Sequence, residues 1–214
     1  MTILWRAFIP LVSHRLPECP TWTIKDEALL AAIEFVNDSR AWRDAAPISL
    51  GDTAASQSDY ALSPVDANTD AFGVCEAWLG DTRLAEPTTA ESISQGVDPS
   101  PEREASGTPR TIRVVARATV RLYPTPDAGG ETLRVMTAWR PGPAATGLPD
   151  ALFYAYRDAI QWKMMERLLL HKGKPWSDPM GAGDARRQYD VLALRHASEA
   201  GSAGRRPRQV RQVI

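Results

Sequence analysis

Apolar residues recur with a helical period near both ends of the 214-residue chain, but they alternate in its middle. A helix places residues three or four apart on one face, whereas a strand places every second residue there. The first helical stretch begins near Thr23, a good N-cap residue, and extends to about Trp42. Another opens at Pro149-Asp150, and a last one begins at Ser177 or Asp178. The change of period predicts helices at both ends and a sheet between them.

Short runs between the helical stretches are rich in Val, Ile, Thr and aromatic residues, which is typical of strands. We predict five to seven short strands, with candidates at Ile48–Leu50, Tyr60–Leu62, Phe72–Leu79, Thr82–Ala85, Thr111–Ala116, Thr119–Tyr123 and Glu131–Trp139. The turn dipeptide Gly80-Asp81 predicts one hairpin, and we expect a second between Thr119–Tyr123 and Glu131–Trp139. The alternation suits an antiparallel sheet with one packed face.

The polar stretch 86–109 contains few large apolar residues, so it predicts a mobile loop within the sheet region. We therefore expect an α+β fold, in which a three-helix bundle of one N-terminal and two C-terminal helices carries an inserted antiparallel β-sheet or sandwich. The predicted divisions are an N-terminal loop and first helix at 1–46, the β domain at 47–145, the C-terminal helices at 146–200, and a flexible basic tail at 201–214.

Residues that usually carry catalysis or bind metals are sparse in the sequence. His14, His171 and His196 have no second ligand at a usable spacing, and Cys19 and Cys75 form no cluster with them. No dinucleotide-binding or phosphate-binding loop occurs, and no nucleophile elbow. We expect no cofactor, no bound metal and no enzymatic activity, and two reduced thiols in a cytoplasmic protein. The N-terminal stretch has the form of neither a signal peptide nor a membrane span.

Two features of the sequence indicate contacts with other molecules. After Glu199 the chain has no acidic residue, although its net charge is only −1. Four arginines follow, at Arg205, Arg206, Arg208 and Arg211. Such side chains pair with carboxylates or phosphates. Trp176 lies in a turn between two helices, where it can pack within its own chain or against a neighbour, and tryptophan is enriched at the energetic centres of interfaces.

Four local patterns, in this order and spacing, resemble the head-to-tail adaptor proteins of short-tailed bacteriophages. They are Cys19-Pro20 before a helix that closes in Arg40-Ala41-Trp42-Arg43; Pro47-Ile48-Ser49-Leu50, followed by Tyr60-Ala61-Leu62; Gly107-Thr108-Pro109 before strands that end in Leu122-Tyr123-Pro124-Thr125-Pro126; and Gly147-Leu148-Pro149-Asp150, a helix, and Gly173-Lys174-Pro175-Trp176-Ser177-Asp178-Pro179. The resemblance covers nearly the whole chain. The chain departs from the family pattern in the long loop after Pro87 and in Gly181 and Gly183 near the start of the last helix.

The resemblance implies a structural virion protein at the head–tail junction, assembled in the host cytoplasm, and not an enzyme. Adaptors of this kind form rings of about twelve copies. Such a ring docks under the portal, extends the DNA channel and carries the tail nozzle and fibres. The implied partners are therefore the portal ring, copies of the chain itself, nozzle and fibre proteins, and double-stranded DNA that passes without sequence-specific recognition. No membrane partner is implied.

The resemblance also leads to two sets of predicted contact residues. We expect the segment from Arg195 to the C-terminus to order on the portal, because a partner can offset the cost of ordering such a segment. The predicted portal-binding residues are Arg195, Arg205, Arg206, Arg208, Arg211 and Ile214. The predicted subunit-interface residues are Trp42, Lys174 and Trp176.

Three other classes of protein fit parts of the sequence. A nucleic-acid-binding module would use the arginine-rich tail with strand residues such as Arg113 and Arg121, and its affinity for DNA would fall steeply with salt. A tail completion or terminator protein of another phage type would also form rings. A tail-associated hydrolase would need a carboxylate pair or a nucleophile in a pocket, and no such set stands out. The order helix, sheet, helix favours the short-tailed adaptor.

Overall fold

A computed structural model describes residues 1–64, 68–85 and 106–203. Most of the predicted mobile loop at 86–109 lies outside these described residues, and so does the predicted flexible tail from residue 204 onward. The last residues of the predicted loop, from Ser106, are described and begin with a short strand.

The contacts within the chain divide it into two compact units. The helical unit consists of Met1–Ala41 and Pro143–Ile214, and the β unit consists of Trp42–Gly142. The chain therefore leaves the helical unit once and returns to it once. Each unit has its own core, as a separately packed body requires.

Three long helices make up most of the helical unit. Helix α2 spans Thr21–Ser39, α3 spans Asp150–Leu169 and α4 spans Pro179–Ala203, and each packs on the other two. Because their apolar residues recur at steps of three and four, each helix presents one apolar face to its neighbours. The buried apolar residues of these helices are Ile24, Ala28, Ala31, Ala32, Phe35, Val36, Phe153, Ala159, Ile160, Met164, Met165, Leu168, Leu169, Ala182, Ala185, Tyr189 and Ala193.

Local side-chain and backbone geometry fixes where these helices stop and start. Arg40 follows α2 in the left-handed conformation at φ 50°, and its N–H donates to the Val36 carbonyl at 2.8 Å. This is a common way to end a helix. At the start of α4, Asp178 Oδ1 accepts a hydrogen bond from the Met180 N–H at 3.1 Å, which is the action of an N-cap residue.

The first thirteen residues form elements that the sequence analysis did not predict. Strand β1 spans Thr2–Leu4, a 3-10 helix spans Trp5–Phe8, and helix α1 spans Ile9–Ser13. Pro10 lies in the first turn of α1, where a residue without an N–H group is tolerated. The Trp5 indole donates to the Ala145 carbonyl at 2.6 Å. This segment is therefore part of the folded helical unit.

Strand β1 pairs antiparallel with β11, Gly147–Pro149, directly before α3. The backbones approach so closely that a Cβ atom placed on Gly147 would lie 2.1 Å from the carbonyl oxygen of Ile3. Only glycine fits there without moving one of the two strands. Gly147 therefore fixes the start of the chain against the start of α3.

The described part of the β unit contains nine strands in three sheets. Their bounds are β2 Ile48–Asp52, β3 Asp59–Ala61, β4 Thr69–Leu79, β5 Thr82–Leu84, β6 Ser106–Gly107, β7 Thr111–Ala116, β8 Thr119–Tyr123, β9 Thr125–Pro126 and β10 Thr132–Pro141. One sheet has the order β2-β10-β4-β5, a second has the order β3-β8-β7, and β6 pairs with β9 in parallel. The other strand pairs in the described part of the unit are antiparallel, and an isolated parallel bridge joins Ala85 to Thr111.

The predicted hairpin between Thr119–Tyr123 and Glu131–Trp139 is wrong. Strand β8 pairs with β7 and β3, whereas β10 pairs with β4 and β2. Both predicted strands alternate, and alternation shows which face of a strand is buried but not which strand lies beside it. The other predicted hairpin, β4 with β5, is confirmed, and its turn contains Gly80 at φ 56°.

The first and last segments of the β unit lie side by side. Trp139 in β10 donates its backbone N–H to the Trp42 carbonyl at 2.8 Å, and Arg43 forms an antiparallel bridge with Ala138. The Trp139 side chain is only 1% exposed, and its indole donates to Asp44 Oδ1 at 2.8 Å. The chain thus enters and leaves this unit through neighbouring, hydrogen-bonded segments.

The predicted fold, an α+β three-helix bundle with one inserted antiparallel sheet or sandwich, is wrong. The described residues form four α-helices, one 3-10 helix and eleven strands in four sheets, so the chain is richer in sheet and more subdivided than predicted. The prediction is consistent with the structure only at the level of the α+β class. Most of the unpredicted elements are two to five residues long, which is too short for a period to be recognised.

Candidate functional site

A groove of about 630 Å³ opens on the helical unit. It is lined by the turn that follows α1, by the second half of α3, and by the turn that leads into α4. The large apolar side chains that line it are Leu16, Trp162, Met165, Leu169 and Trp176. A groove with aromatic and aliphatic walls is the usual form of a binding site for a small molecule or a peptide.

Acidic side chains predominate among the charged residues that line the groove. Glu18, Asp178 and Asp184 are acidic, Arg15 is basic, and all four are exposed. The Arg15 guanidinium lies 4.8 Å from the centre of the Trp162 ring, which is the geometry of a cation–π contact. The groove therefore combines an apolar lining with a mainly acidic rim.

Trp176 is half-buried in the turn between α3 and α4, and its ring centre lies 6.5 Å from that of His171. The turn is fixed by backbone hydrogen bonds from the Asp178 N–H to the Leu169 carbonyl and from the Ser177 N–H to the Lys174 carbonyl, both 3.0 Å long. The Trp176 Nε1 atom is buried and has no hydrogen-bond acceptor among the residues that the structure describes. Buried indole N–H groups usually have an acceptor, so the Trp176 N–H is left with an unmade hydrogen bond.

A second polar feature of the helical unit is a chain of ion pairs between its helices. Arg167 of α3 pairs with Glu27 of α2 at 2.5 Å and also with Glu34. Lys163, one turn earlier, pairs with Glu34 at 2.9 Å and with Glu166 at 3.0 Å. Burial lowers the pKa of Lys163, but its hydrogen bonds to the two glutamates outweigh burial and raise that pKa above its usual value.

The chain of ion pairs continues to α4. Arg186 lies 3.4 Å from Glu166, and the Tyr189 hydroxyl donates to Asp38 Oδ2 at 2.5 Å. Burial and this hydrogen bond raise the pKa of Tyr189. His171 Nε2 lies 3.0 Å from a carboxylate oxygen of Glu27. Each acid in the network has a basic or hydrogen-bonding partner, so the cluster fixes the helices against one another.

The structure places the predicted subunit-interface residues in different units. Lys174 is exposed in the turn between α3 and α4, beside the groove residue Trp176. Trp42 lies in the β unit and is only 7% exposed. The role of these three residues in an interface between copies stays a prediction.

Of the predicted portal-binding residues, only Arg195 lies within the described part of the chain. It is exposed on α4 and pairs with Glu199 at 3.1 Å. His196 and Arg195, through their hydrogen bonds to the Glu199 carboxylate, lower its pKa. Five predicted residues lie outside the described part, namely Arg205, Arg206, Arg208, Arg211 and Ile214. Their role in portal binding stays a prediction.

The sequence analysis identified Trp176 as a candidate contact residue but missed the residues that meet it at the groove. Trp162 lies within the α3 periodicity and is typical of a core residue by its position alone. Arg15 and Glu18 come from the turn after α1, which the sequence analysis did not predict as a structured element. Their proximity depends on tertiary packing, so no local pattern could have revealed it.

Within the described ranges, no three His, Cys, Asp or Glu side chains form a group that could hold a metal ion. Cys19 and Cys75 are free thiols, and burial, followed by the charge of Glu27, raises the pKa of Cys19. A raised pKa lowers the fraction of thiolate, which is the reactive form. In the same part of the chain, no helix combines the length and apolar character needed to cross a membrane.

No family model matches the chain, and no curated protein matches it. A functional assignment therefore depends on the residue patterns of the sequence and on the geometry of the groove and its surroundings.

Proposed function

We propose that the chain is a structural virion protein, a head-to-tail adaptor that docks under a phage portal as a ring. The observation that carries the proposal is the groove beside Trp176, in the Gly-Lys-Pro-Trp-Ser turn that resembles the adaptor family. An apolar groove with an acidic rim suits a segment of another protein. A closed ring requires this kind of heterologous contact, in which one face of a subunit receives a different face of the next.

Exposed apolar side chains on the helical unit support a protein that works by contact with other chains. Val191 and Leu194 on α4 are 67% and 72% exposed, and Met180 on the same face of that helix is exposed as well. Trp22 on α2 is 66% exposed. Clusters of exposed apolar residues are more typical of interaction surfaces than of monomers that act alone.

The proposal includes the absence of catalysis. The acids that line the groove are exposed, and no serine, cysteine or lysine in the described part of the groove is paired with a general base. The charged groups between the helices are neutralised by their neighbours. An active site normally needs a nucleophile or an acid–base pair that faces a cavity, and this arrangement supplies neither.

In this proposal the helical unit forms the ring and meets the portal, and the β unit meets tail components such as the nozzle and fibre proteins. Double-stranded DNA passes through the ring without sequence-specific contacts. A channel that DNA must traverse requires weak contacts, and the chain's net charge of −1 gives no net attraction to a polyanion.

The proposal is tested by mixing the purified protein with purified portal rings and imaging the mixture by negative-stain electron microscopy. The expected result is a ring of additional density on one face of each portal. Deletion of Gly204–Ile214 is expected to abolish this attachment while circular dichroism shows an unchanged fold. Portals that stay bare with the full-length protein would overturn the proposal. Tight, salt-dependent DNA binding by the same protein would favour the nucleic-acid-binding alternative.

A further inference from the structure

We propose that the groove beside Trp176 receives the arginine-rich C-terminal segment, residues 204–214, of a second copy of this chain. The inference rests on the proposed function, because it assigns a contact between neighbouring subunits of the ring. It concerns a groove and a segment that belong to one sequence, so both halves of the contact can be examined.

The chemistry of the segment complements that of the groove. The segment contains four arginines and no acid, whereas acids outnumber bases three to one among the groove's charged residues. Arginine pairs with carboxylates through two parallel hydrogen bonds, and Glu18 is exposed for such pairing, while Asp184 is exposed but already pairs with Arg187. The segment also ends in Val213 and Ile214, which suit the apolar lining around Met165 and the two tryptophans.

The unpaired indole of Trp176 gives the groove a hydrogen-bond donor for a peptide. An extended segment presents its backbone carbonyls, and aromatic-lined grooves commonly bind extended segments that contain proline, such as the one around Pro207. The Trp176 Nε1 atom is covered in the isolated chain, so the indole must turn to reach a carbonyl. Binding would then give the Trp176 N–H an acceptor. The free energy of that hydrogen bond would offset the cost of rearranging the turn.

The length of the chain keeps the first three arginines of the segment away from the groove of their own copy. Gly181, at the groove, and Ala203, at the other end of α4, are separated by about 33 Å, because a helix rises about 1.5 Å per residue. An extended chain covers at most about 3.5 Å per residue, so Arg208 reaches no farther than about 18 Å beyond Ala203. Arg205 and Arg206 reach less far still. These three arginines can therefore meet acids of this groove only on another copy.

A contact of this size is weak when it forms once, because ordering the segment costs conformational entropy. In a ring every subunit both gives a segment and receives one, so the contacts act together and the effective concentration of each segment is high. The sequence analysis assigned the same segment to the portal. The groove, with its acids and its unpaired donor, favours a second copy, and removal of the segment would disturb attachment to the portal through loss of the ring.

The first experiment measures binding of a fluorescein-labelled peptide, Gly204–Ile214, to the full-length protein by fluorescence anisotropy. Glu18→Lys, at the groove rim, is expected to weaken binding at least tenfold. Asp158→Lys is the matched control, because Asp158 is also exposed but does not line the groove. A peptide of the same composition in scrambled order is expected to bind at least fivefold more weakly. Equal effects of the two substitutions, or equal binding of the scrambled peptide, would overturn the inference.

The second experiment identifies the partner of the segment in the assembly. A photo-reactive phenylalanine replaces Val213, and two differently tagged copies are mixed and irradiated with and without portal rings. Crosslinks between the two tags, mapped to the groove, support the inference. Crosslinks only to the portal, or only within one chain, overturn it, and the proposed adaptor function survives the first of these results. Peptide binding to the groove without any portal attachment would instead remove the adaptor function and leave the contact between copies.

Discussion

The two units of the molecule keep their elements in register by different means. In the helical unit, ion pairs join side chains of α2, α3 and α4, with Arg167 and Lys163 between glutamates of neighbouring elements. In the β unit, backbone hydrogen bonds connect β10 with β4 over nearly the whole length of both strands, and Trp139 is anchored on Asp44. Register in the first unit depends on a few side chains, whereas in the second it is distributed over many backbone groups.

This difference indicates where each unit is sensitive to change. Partly buried ion pairs cost desolvation energy when they form, so they select one helix arrangement more than they stabilise it. A backbone ladder tolerates the loss of many individual side chains, but its packed face does not tolerate a cavity. We therefore expect the β unit to be most sensitive to truncation of its core and the helical unit to removal of its charges.

The largest effect is expected from Trp139→Ala in the β unit. The substitution removes a fully buried aromatic side chain and leaves Asp44 without its indole donor, so we expect a loss of about 3–5 kcal/mol in the free energy of unfolding. Urea denaturation followed by circular dichroism measures this loss. Trp22→Ala is the control, because Trp22 is exposed on α2 and its loss should cost less than about 0.5 kcal/mol. Equal costs would contradict the description of the β-unit core.

A smaller loss is expected from Arg167→Met in the helical unit. Glu27, whose side chain is largely buried, loses its arginine partner but keeps His171, so we expect a cost of about 2–3 kcal/mol. Arg187→Met removes a pair with Asp184 that is exposed on both sides, and it should cost less than about 1 kcal/mol. If both substitutions have the same small effect, the ion pairs do not define the helix arrangement.

A third substitution tests a place where the helical unit depends on backbone pairing between strands, as the β unit does. Gly147→Ala puts a methyl group against the Ile3 carbonyl and should cost about 1–3 kcal/mol by separating β1 from β11. Hydrogen exchange should then be faster at Thr2–Leu4. Gly183→Ala is the opposite control, because nothing lies near that position in α4 and alanine should stabilise the helix by up to about 1 kcal/mol. Unchanged exchange in β1 would argue against the close approach.

The smallest effect is expected from alkaline pH. The pKa of Tyr189 is raised in the folded protein, so its contribution to stability is complete below its unfolded value of about 10 and is lost as the pH rises above it. Lys163, whose pKa is also raised, acts in the same direction. Between pH 9 and pH 11 the urea midpoint should fall more for the wild-type protein than for Tyr189→Phe. Identical pH dependence in the two proteins would exclude a contribution from Tyr189.

The sequence predicts long elements better than the partners those elements choose. Helices α2 and α3 follow from their apolar period, although α2 begins before Thr23, directly after Pro20, whose fixed backbone angle suits a helix start. The partner of β10 was not predictable, because β4 lies more than fifty residues earlier and carries the same alternation as β8. The short N-terminal elements were missed because each is only a few residues long and has no recognisable period.

The candidate site shows the same limit. Trp176 was recognisable because a tryptophan between two helices is unusual in a turn rich in Gly and Pro. Its association with Trp162 and Arg15 depends on how the turn after α1 packs beside α3. The ion pairs were partly foreseeable, since Lys163 and Arg167 are four residues apart and share one face of a helix. Which acids they meet is decided by the packing of helices distant in sequence.

The adjacency of Trp42 and Trp139 has a consequence for how such a protein can diversify. The β unit begins and ends on neighbouring, hydrogen-bonded segments. The whole unit is therefore an insertion, or cassette, whose two ends lie close together. A gene segment that encodes a different cassette with equally close ends could replace it while the order of the helices stays the same. The replacement could then bring a different contact surface while the residues of the helical unit stay unchanged.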